Sequence, residues 1–334
     1  MDMKKWARDL YEARVKKPMP VLSFPSVQLM GIGVDELIAS SEKQAEGMAL
    51  VASRTDAAAS VSMMDLSVEA ESFGSKIRFS EDEVPTVIGR IVSSLADAQA
   101  LPDPDPKQGR TGLYIGAIQL AVQKITDRPV LAGVIGPFSL AGRLMDVSEA
   151  MINCYEDPDM VHATLRKVTD FIKKYILEYR AIGANGVVVA EPLAGILSPA
   201  LCAEFSTPYV KEIADAVQTD EFAFIYHNCG NAAPDLVDSI KTIGATAYHF
   251  GNAVDMQRML KLMPDDGLVM GNVDPASQFK NGTPESIREV TLSLLEKCSG
   301  HPNFVISSGC DIPPTSSWDN IDAFFAATRE FYSK

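Results

Sequence analysis

His227 and Cys229 stand one residue apart in the run Ile225-Tyr226-His227-Asn228-Cys229-Gly230. On an extended chain, residues two apart project to the same side, so an imidazole and a thiol meet there. Such a pair is a natural half-site for Zn2+, which takes imidazole nitrogen and thiolate sulfur as ligands. A third soft donor, Cys310, sits far along the chain in Ser308-Gly309-Cys310-Asp311. Three protein ligands of mixed nitrogen and sulfur type leave one position for water or substrate, as catalytic rather than structural zinc sites do. The competing reading of each cysteine is a small buried hydrophobe.

Other groups are candidates with plainer alternatives. Glu191 follows four apolar residues in Val187-Val188-Val189-Ala190-Glu191-Pro192, so its carboxylate lies at a core edge. It reads as a labile fourth zinc ligand or a general base, against a helix N-terminal charge or an ion pair. Asn272 and Asp274, in Gly271-Asn272-Val273-Asp274-Pro275, are expected to touch substrate or to cap the next helix. His249 could line the same pocket, and Arg143 is a cationic candidate for an anionic substrate end or a surface ion pair. Glu69 and Glu71 are expected to divide between pocket and surface. Cys154, Cys202 and Cys298 fall in helical stretches and are assigned to packing or surface, and His162 and His301 to structure.

Elements must bring these residues together. Short β-rich runs recur at Pro20–Phe24, Ala58–Met63, Pro129–Ile135, Gly186–Ala190, Phe222–His227, Ala245–Phe250, Gly267–Met270 and Asn303–Ser307. Most are continuously apolar, the pattern of parallel strands covered on both faces. Helical periodicity fills the intervals, most clearly at Asp159–Ile182, Ser286–Glu296 and Trp318–Tyr332. Eight strands alternating with helices predict an α/β fold, a TIM-type (β/α)8 barrel, whose chemistry sits where strands end. An open doubly wound sheet is the alternative, but no GxGxxG follows the first strand. The stretch Asp65–Ala100 reads as an insertion after the second strand. The Pro-rich connector Leu101–Pro106 reads as a loop, giving one domain over 1–334 with an N-terminal extension. The eighth strand closes the barrel, and across the mouth it can carry Cys310 to His227 and Cys229.

The chain has 334 residues, 46% hydrophobic and 22% charged, with a formal charge of −14. That composition buries a large core, and the excess of acid argues against nucleic-acid or anionic-membrane partners. No apolar run approaches the ~20 residues of a spanning helix, and the N-terminus has no signal core. A cytoplasmic protein is expected. Five cysteines without a secretion signal speak against a disulfide framework.

The chain resembles the uroporphyrinogen decarboxylase superfamily, and within it the corrinoid-dependent methyltransferases of the methylcobalamin:coenzyme M type. Six stretches carry the resemblance: Met64–Glu71, Gly136–Gly142, Ala190–Pro192, His227–Cys229, Gly271–Pro275 and Ser308–Pro313. The H-x-C pair with a distant cysteine is the specific element, because in that branch these are the zinc ligands. The decarboxylase itself is similar in fold but carries an Arg-rich segment near its N-terminus for the substrate carboxylates. The matching stretch here, Pro25–Gly33, contains no arginine.

The resemblance implies a zinc-bound thiolate that attacks the methyl group of a methylated corrinoid, methylcobalamin or a corrinoid protein. The sulfur–carbon bond forms and cobalt leaves as Co(I). It also implies coenzyme M as one acceptor, and a corrinoid carried by a separate small protein, since no D-x-H-x-x-G module occurs in this chain. Two further readings stand beside it. One is a decarboxylase-like lyase using Glu191 and Asp274; the other is a non-catalytic docking module for a corrinoid protein.

Overall fold

The computed structural model of the protein describes residues 1–333. Seven parallel strands form one curled sheet: β1 (Ser60–Val61), β4 (Val130–Ile135), β5 (Gly186–Ala190), β6 (Ala223–Asn228), β7 (Ala247–Phe250), β8 (Leu268–Val273) and β9 (Phe304–Ser308), in that order. Every neighbouring pair is parallel, and helices form the crossovers, as in a TIM-type barrel. The remaining strands, β2 (Lys76–Arg78) and β3 (Thr86–Ile88), make an antiparallel hairpin inside the expected insertion. The insertion ends in a helix at Leu95–Ala100, and the Pro-rich connector leads into the helix Gly109–Lys124 that crosses back to β4.

The run Pro20–Phe24, expected as the first strand, is not a ladder strand. Its segment lies along the seam between β9 and β1 and makes isolated bonds to each. Met19 N–H donates to the Ile306 carbonyl at 2.9 Å, and Ala58 N–H donates to the Pro18 carbonyl at 2.8 Å. The cause is local. Met19 and Val21 turn their N–H groups toward β9, where Val21 reaches the Ser308 hydroxyl. The alternate nitrogens, which would face β1, belong to Pro18 and Pro20 and carry no hydrogen.

Side-chain alternation divides the core in two. Leu131, Val188, Ala190, Ala223, Ile225, Ala247, Leu268, Met270 and Val305 fill the barrel, with Met3 and Leu10 of the N-terminal helix Met3–Glu12 plugging its base. Their neighbours, such as Val187, Val189, Phe224, Tyr226, Val269 and Phe304, face the surrounding helices. The helix Pro158–Ala181 packs on that outer layer through Val161, Leu165, Val168, Phe171, Ile172 and Tyr175, close to its expected span. No helix among the described residues is long and apolar enough to cross a membrane.

Candidate metal centre

His227 continues the interior row of β6 after Ala223 and Ile225, and Cys229 lies one step past the strand on the same parity. Cys310 arrives from the loop after β9. The His227, Cys229 and Cys310 ligand atoms lie within 4.8 Å of one another, and no other His, Cys, Asp or Glu among the described residues joins them. Close backbone packing holds the loops. A Cβ on Gly251 would sit 2.5 Å from the Cys229 Cα, and one on Gly195 would sit 2.5 Å from the Gly230 Cα.

The donor set fits zinc. A tetrahedral ion with Zn–S ~2.3 Å and Zn–N ~2.05 Å needs a nitrogen–sulfur edge of about 3.6 Å. His227 Nε2 and Cys310 Sγ are 3.5 Å apart. The two thiols share a hydrogen bond that lowers the Cys229 pKa and, with burial, pushes Cys310 up to about 12. A metal bound by both sulfurs would displace their protons.

Behind His227 runs a buried polar chain. β6 and β7 pair His227 with His249 in register, and both point into the barrel. Their Nδ1 atoms are 2.7 Å apart, and His249 Nε2 is 2.7 Å from Ser307 Oγ on β9. Ser307 in turn donates to the Met19 carbonyl at 2.6 Å. Burial, then the neighbouring His227, holds the His249 pKa well below the ordinary histidine range. His249, expected to line the substrate pocket, is buried behind His227 instead. Sequence reasoning passes over Ser307, whose one signal is a polar residue on the interior parity of Val305.

Glu191, expected as a fourth ligand or base, is not part of the cluster. Alternation places Val188 and Ala190 inside, so Glu191 turns outward with Val187 and Val189. Its Oε2 accepts from Phe138 N–H at 3.0 Å and the Ser206 hydroxyl at 3.1 Å, and its Oε1 accepts from Ser139 N–H at 2.7 Å. It anchors the first turn of the helix Pro137–Met145, satisfying amide groups that a helix leaves open. Burial raises its pKa, and these donors pull back against that rise.

Asn272 spends its amide on the Gly251 and Val254 carbonyls at 2.8 and 2.7 Å, bracing the loop after β7. Asp274 Oδ1 accepts from the Ala276 and Ser277 N–H groups, which is the capping role expected for it. Arg143 lies half-buried on the helix Pro137–Met145 with no ion-pair partner among the described residues, and burial lowers its pKa. Glu71 pairs with Arg110 at 2.5 Å, and Arg110 also holds Asp65. Cys154, Cys202 and Cys298 are buried as packing residues, and His162 bonds Tyr209 while stacking on Phe205. A cleft of about 1280 Å³ opens beside the N-terminal helix, lined by Lys4, Arg8, Tyr11, Asp220 and Tyr248. It shares no residue with the cysteine–histidine cluster, and its walls show no convergent donor set.

Glu69 is buried against the end of β4. Its Oε1 accepts from Ile135 N–H at 3.1 Å, its Oε2 has no partner, and burial raises its pKa to about 8. A carboxyl raised in this way stabilises the fold fully below its unfolded pKa, and that contribution is lost as pH climbs toward about 8. Relative to Glu69→Gln, wild-type unfolding free energy should therefore fall by about 1.4 kcal/mol per pH unit between about pH 5 and pH 8. Urea titrations across that range measure it; parallel curves for the two proteins would show that Glu69 titrates normally.

The uroporphyrinogen decarboxylase (URO-D) family model matches residues 22–331. Among curated relatives, the methylcobamide:CoM methyltransferase MtbA of Methanosarcina acetivorans is 27% identical over 272 residues, covering 80% of this chain and 78% of the relative. The uroporphyrinogen decarboxylase of Pseudomonas aeruginosa is 26% identical over 288 residues, covering 81% and 78%. Among solved structures, a methyltransferase from Methanosarcina mazei superposes with a TM-score of 0.86 at 22% identity, covering 99% of this chain and 98% of that one. A B12-independent methionine synthase from Shewanella reaches 0.62 at 11%, covering 96% of each chain. At these identities the structural likenesses concern the fold.

Proposed function

The chain belongs to the uroporphyrinogen decarboxylase family, and from that premise we propose that it is a zinc-dependent methyltransferase that moves a methyl group from a methylated corrinoid to a small thiol. One observation carries this reading: one imidazole and two thiols converge at the barrel mouth with no fourth side-chain ligand among the described residues. The activity for which the MtbA relatives are named, methylcobamide:CoM methyl transfer, supports the donor and the thiol acceptor. A lyase acting on several carboxylates finds less support, because Pro25–Gly33 offers no arginine to receive them.

His227, Cys229 and Cys310 would hold the ion. Bound there, zinc supplies an acceptor position that keeps a thiol ionised at neutral pH, where a free thiol of pKa ~8.5 is only a few per cent thiolate. Cys229 and Cys310 would surround such an ion with two anionic sulfurs, which would lower its Lewis acidity. His227 stays neutral to ligate, and its orientation is held from behind by His249. Arg143, with no ion-pair partner among the described residues, is assigned to the anionic end of the acceptor. The corrinoid is assigned to a separate carrier protein docking over the mouth, and the protein to the cytoplasm.

A thiol panel with methylcobalamin tests this, read from the corrinoid spectrum as Co(I) forms. Turnover with 2-mercaptoethanesulfonate is expected. Arg143→Ala should raise KM for that thiol about 10–100-fold, the loss of one charge-assisted contact, and erase its preference over 2-mercaptoethanol. Stoichiometric zinc without Co(I) for any thiol would sink the reaction assigned here.

A further inference from the structure

We propose that the backbone carbonyl of Met19, acting through Ser307 and His249, fixes the tautomer of His227 so that its Nε2 lone pair is presented to the metal. The inference rests on the zinc reading above for its purpose, and on hydrogen-bond direction and the burial of His249 for its content.

A carbonyl oxygen only accepts. Ser307, 2.6 Å from the Met19 carbonyl, therefore spends its single hydroxyl proton there. Toward His249 the Ser307 oxygen can then only accept, so His249 Nε2 carries a hydrogen. His249 is 1% exposed, and its ring meets His227, Ser307 and the Ser308 backbone, with no carboxylate among them to balance a charge. An unpaired buried imidazolium is costly, so the ring is neutral and its Nδ1 is a bare acceptor. Across the 2.7 Å contact the hydrogen must then belong to His227 Nδ1. In a neutral His227 ring the remaining nitrogen, Nε2, keeps its lone pair, and it is this atom that lies 3.5 Å from Cys310. Reversing the contact between His249 and Ser307 would require a carbonyl to donate.

The chain therefore performs the service that carboxylates and carbonyls give to metal-bound histidines elsewhere, but through two intermediate side chains. Its origin is well fixed. Pro18 and Pro20 flank Met19, restrict its backbone to the extended region and leave its carbonyl turned toward β9. His249 and Ser307 are thus positioning residues.

The test uses the full-length, metal-free protein with 15N-labelled histidine. Only four histidines occur, so the ring correlations can be assigned by substitution of each. The expected wild-type pattern is His227 protonated on Nδ1 and His249 protonated on Nε2. Ser307→Ala should abolish the His249 preference and weaken zinc binding, measured against a competing chelator, by about 10–100-fold. Ser307→Thr, which keeps the hydroxyl, should restore both. Finding His227 protonated on Nε2 in the metal-free wild type would overturn the proposal, as would Ser307→Ala leaving tautomers and affinity unchanged. Should the expected tautomers appear in a protein that takes up no zinc, the relay stands and the metal reading falls. Zinc at one equivalent with the opposite tautomers would remove the relay and leave the metal reading in place.

Discussion

Cys310→Ala is expected to leave the purified protein with less than about a tenth of an equivalent of zinc and to slow thiol methylation by at least about 10³-fold. The size follows from what the third ligand does. Two ligands from one strand end, His227 and Cys229, would hold a divalent ion only as a chelate that water and buffer can strip. Cys310 comes from the other side of the mouth and closes the set. Without the ion a thiol acceptor falls back to its free pKa of ~8.5, so ionisation alone costs about 30-fold at pH 7. Loss of positioning at the reacting carbon adds the rest, since well-held reactants gain several further orders of magnitude. Stability should change little, because Cys310 is half-buried in a loop and outside the apolar core. Metal analysis alongside thermal melting separates the two effects. Full zinc occupancy in the variant would remove Cys310 from the site.

Glu191 gives the opposite pattern. Glu191→Ala should destabilise the protein by about 3–5 kcal/mol, because it strands two buried amide donors and leaves a hole at the foot of a helix. The neutral isostere should not rescue it. Phe138 N–H and Ser139 N–H address different carboxylate oxygens, so Glu191→Gln must turn an amide NH2 toward one of two donors. A loss of about 2–3 kcal/mol is expected there. Zinc content should stay at that of the wild type in both variants, measured at a temperature where each is folded. If instead zinc is lost while denaturant midpoints hold, Glu191 is a ligand after all, and the outward orientation is not the one the metal selects.

Much of the fold is legible in the chain. Seven of the eight expected β-runs correspond to ladder strands, because continuous apolar stretches between amphipathic helices have few folded alternatives. Two-residue periodicity places His227 and Cys229 on one side, and the order of strands makes Cys310 their neighbour. The same periodicity, followed back from Glu191 through Ala190 and Val188, gives the outward direction of that carboxylate; the apolar run hides it, since both parities are apolar there. Register is not legible. That His249 faces His227 depends on a one-residue alignment between β6 and β7, which no local pattern encodes. The run at Pro20–Phe24 reads as a strand from its apolar content, although Pro18 and Pro20 already forbid half of its ladder.

That proline-bordered seam also bears on biosynthesis. The site draws on Met19 at one end of the chain and on Ser307 and Cys310 near the other. Domains start to fold from the N-terminus as they are made, and contacts this distant in sequence are the slowest to form. A ribosome must therefore add the 288 residues from Met19 to Ser307, and Cys310 after them, before these contacts can form. Until then His227 and Cys229 are an exposed imidazole and thiol with no fixed tautomer and no third partner. Any ion held by all three side chains would therefore bind only after Cys310 has been made.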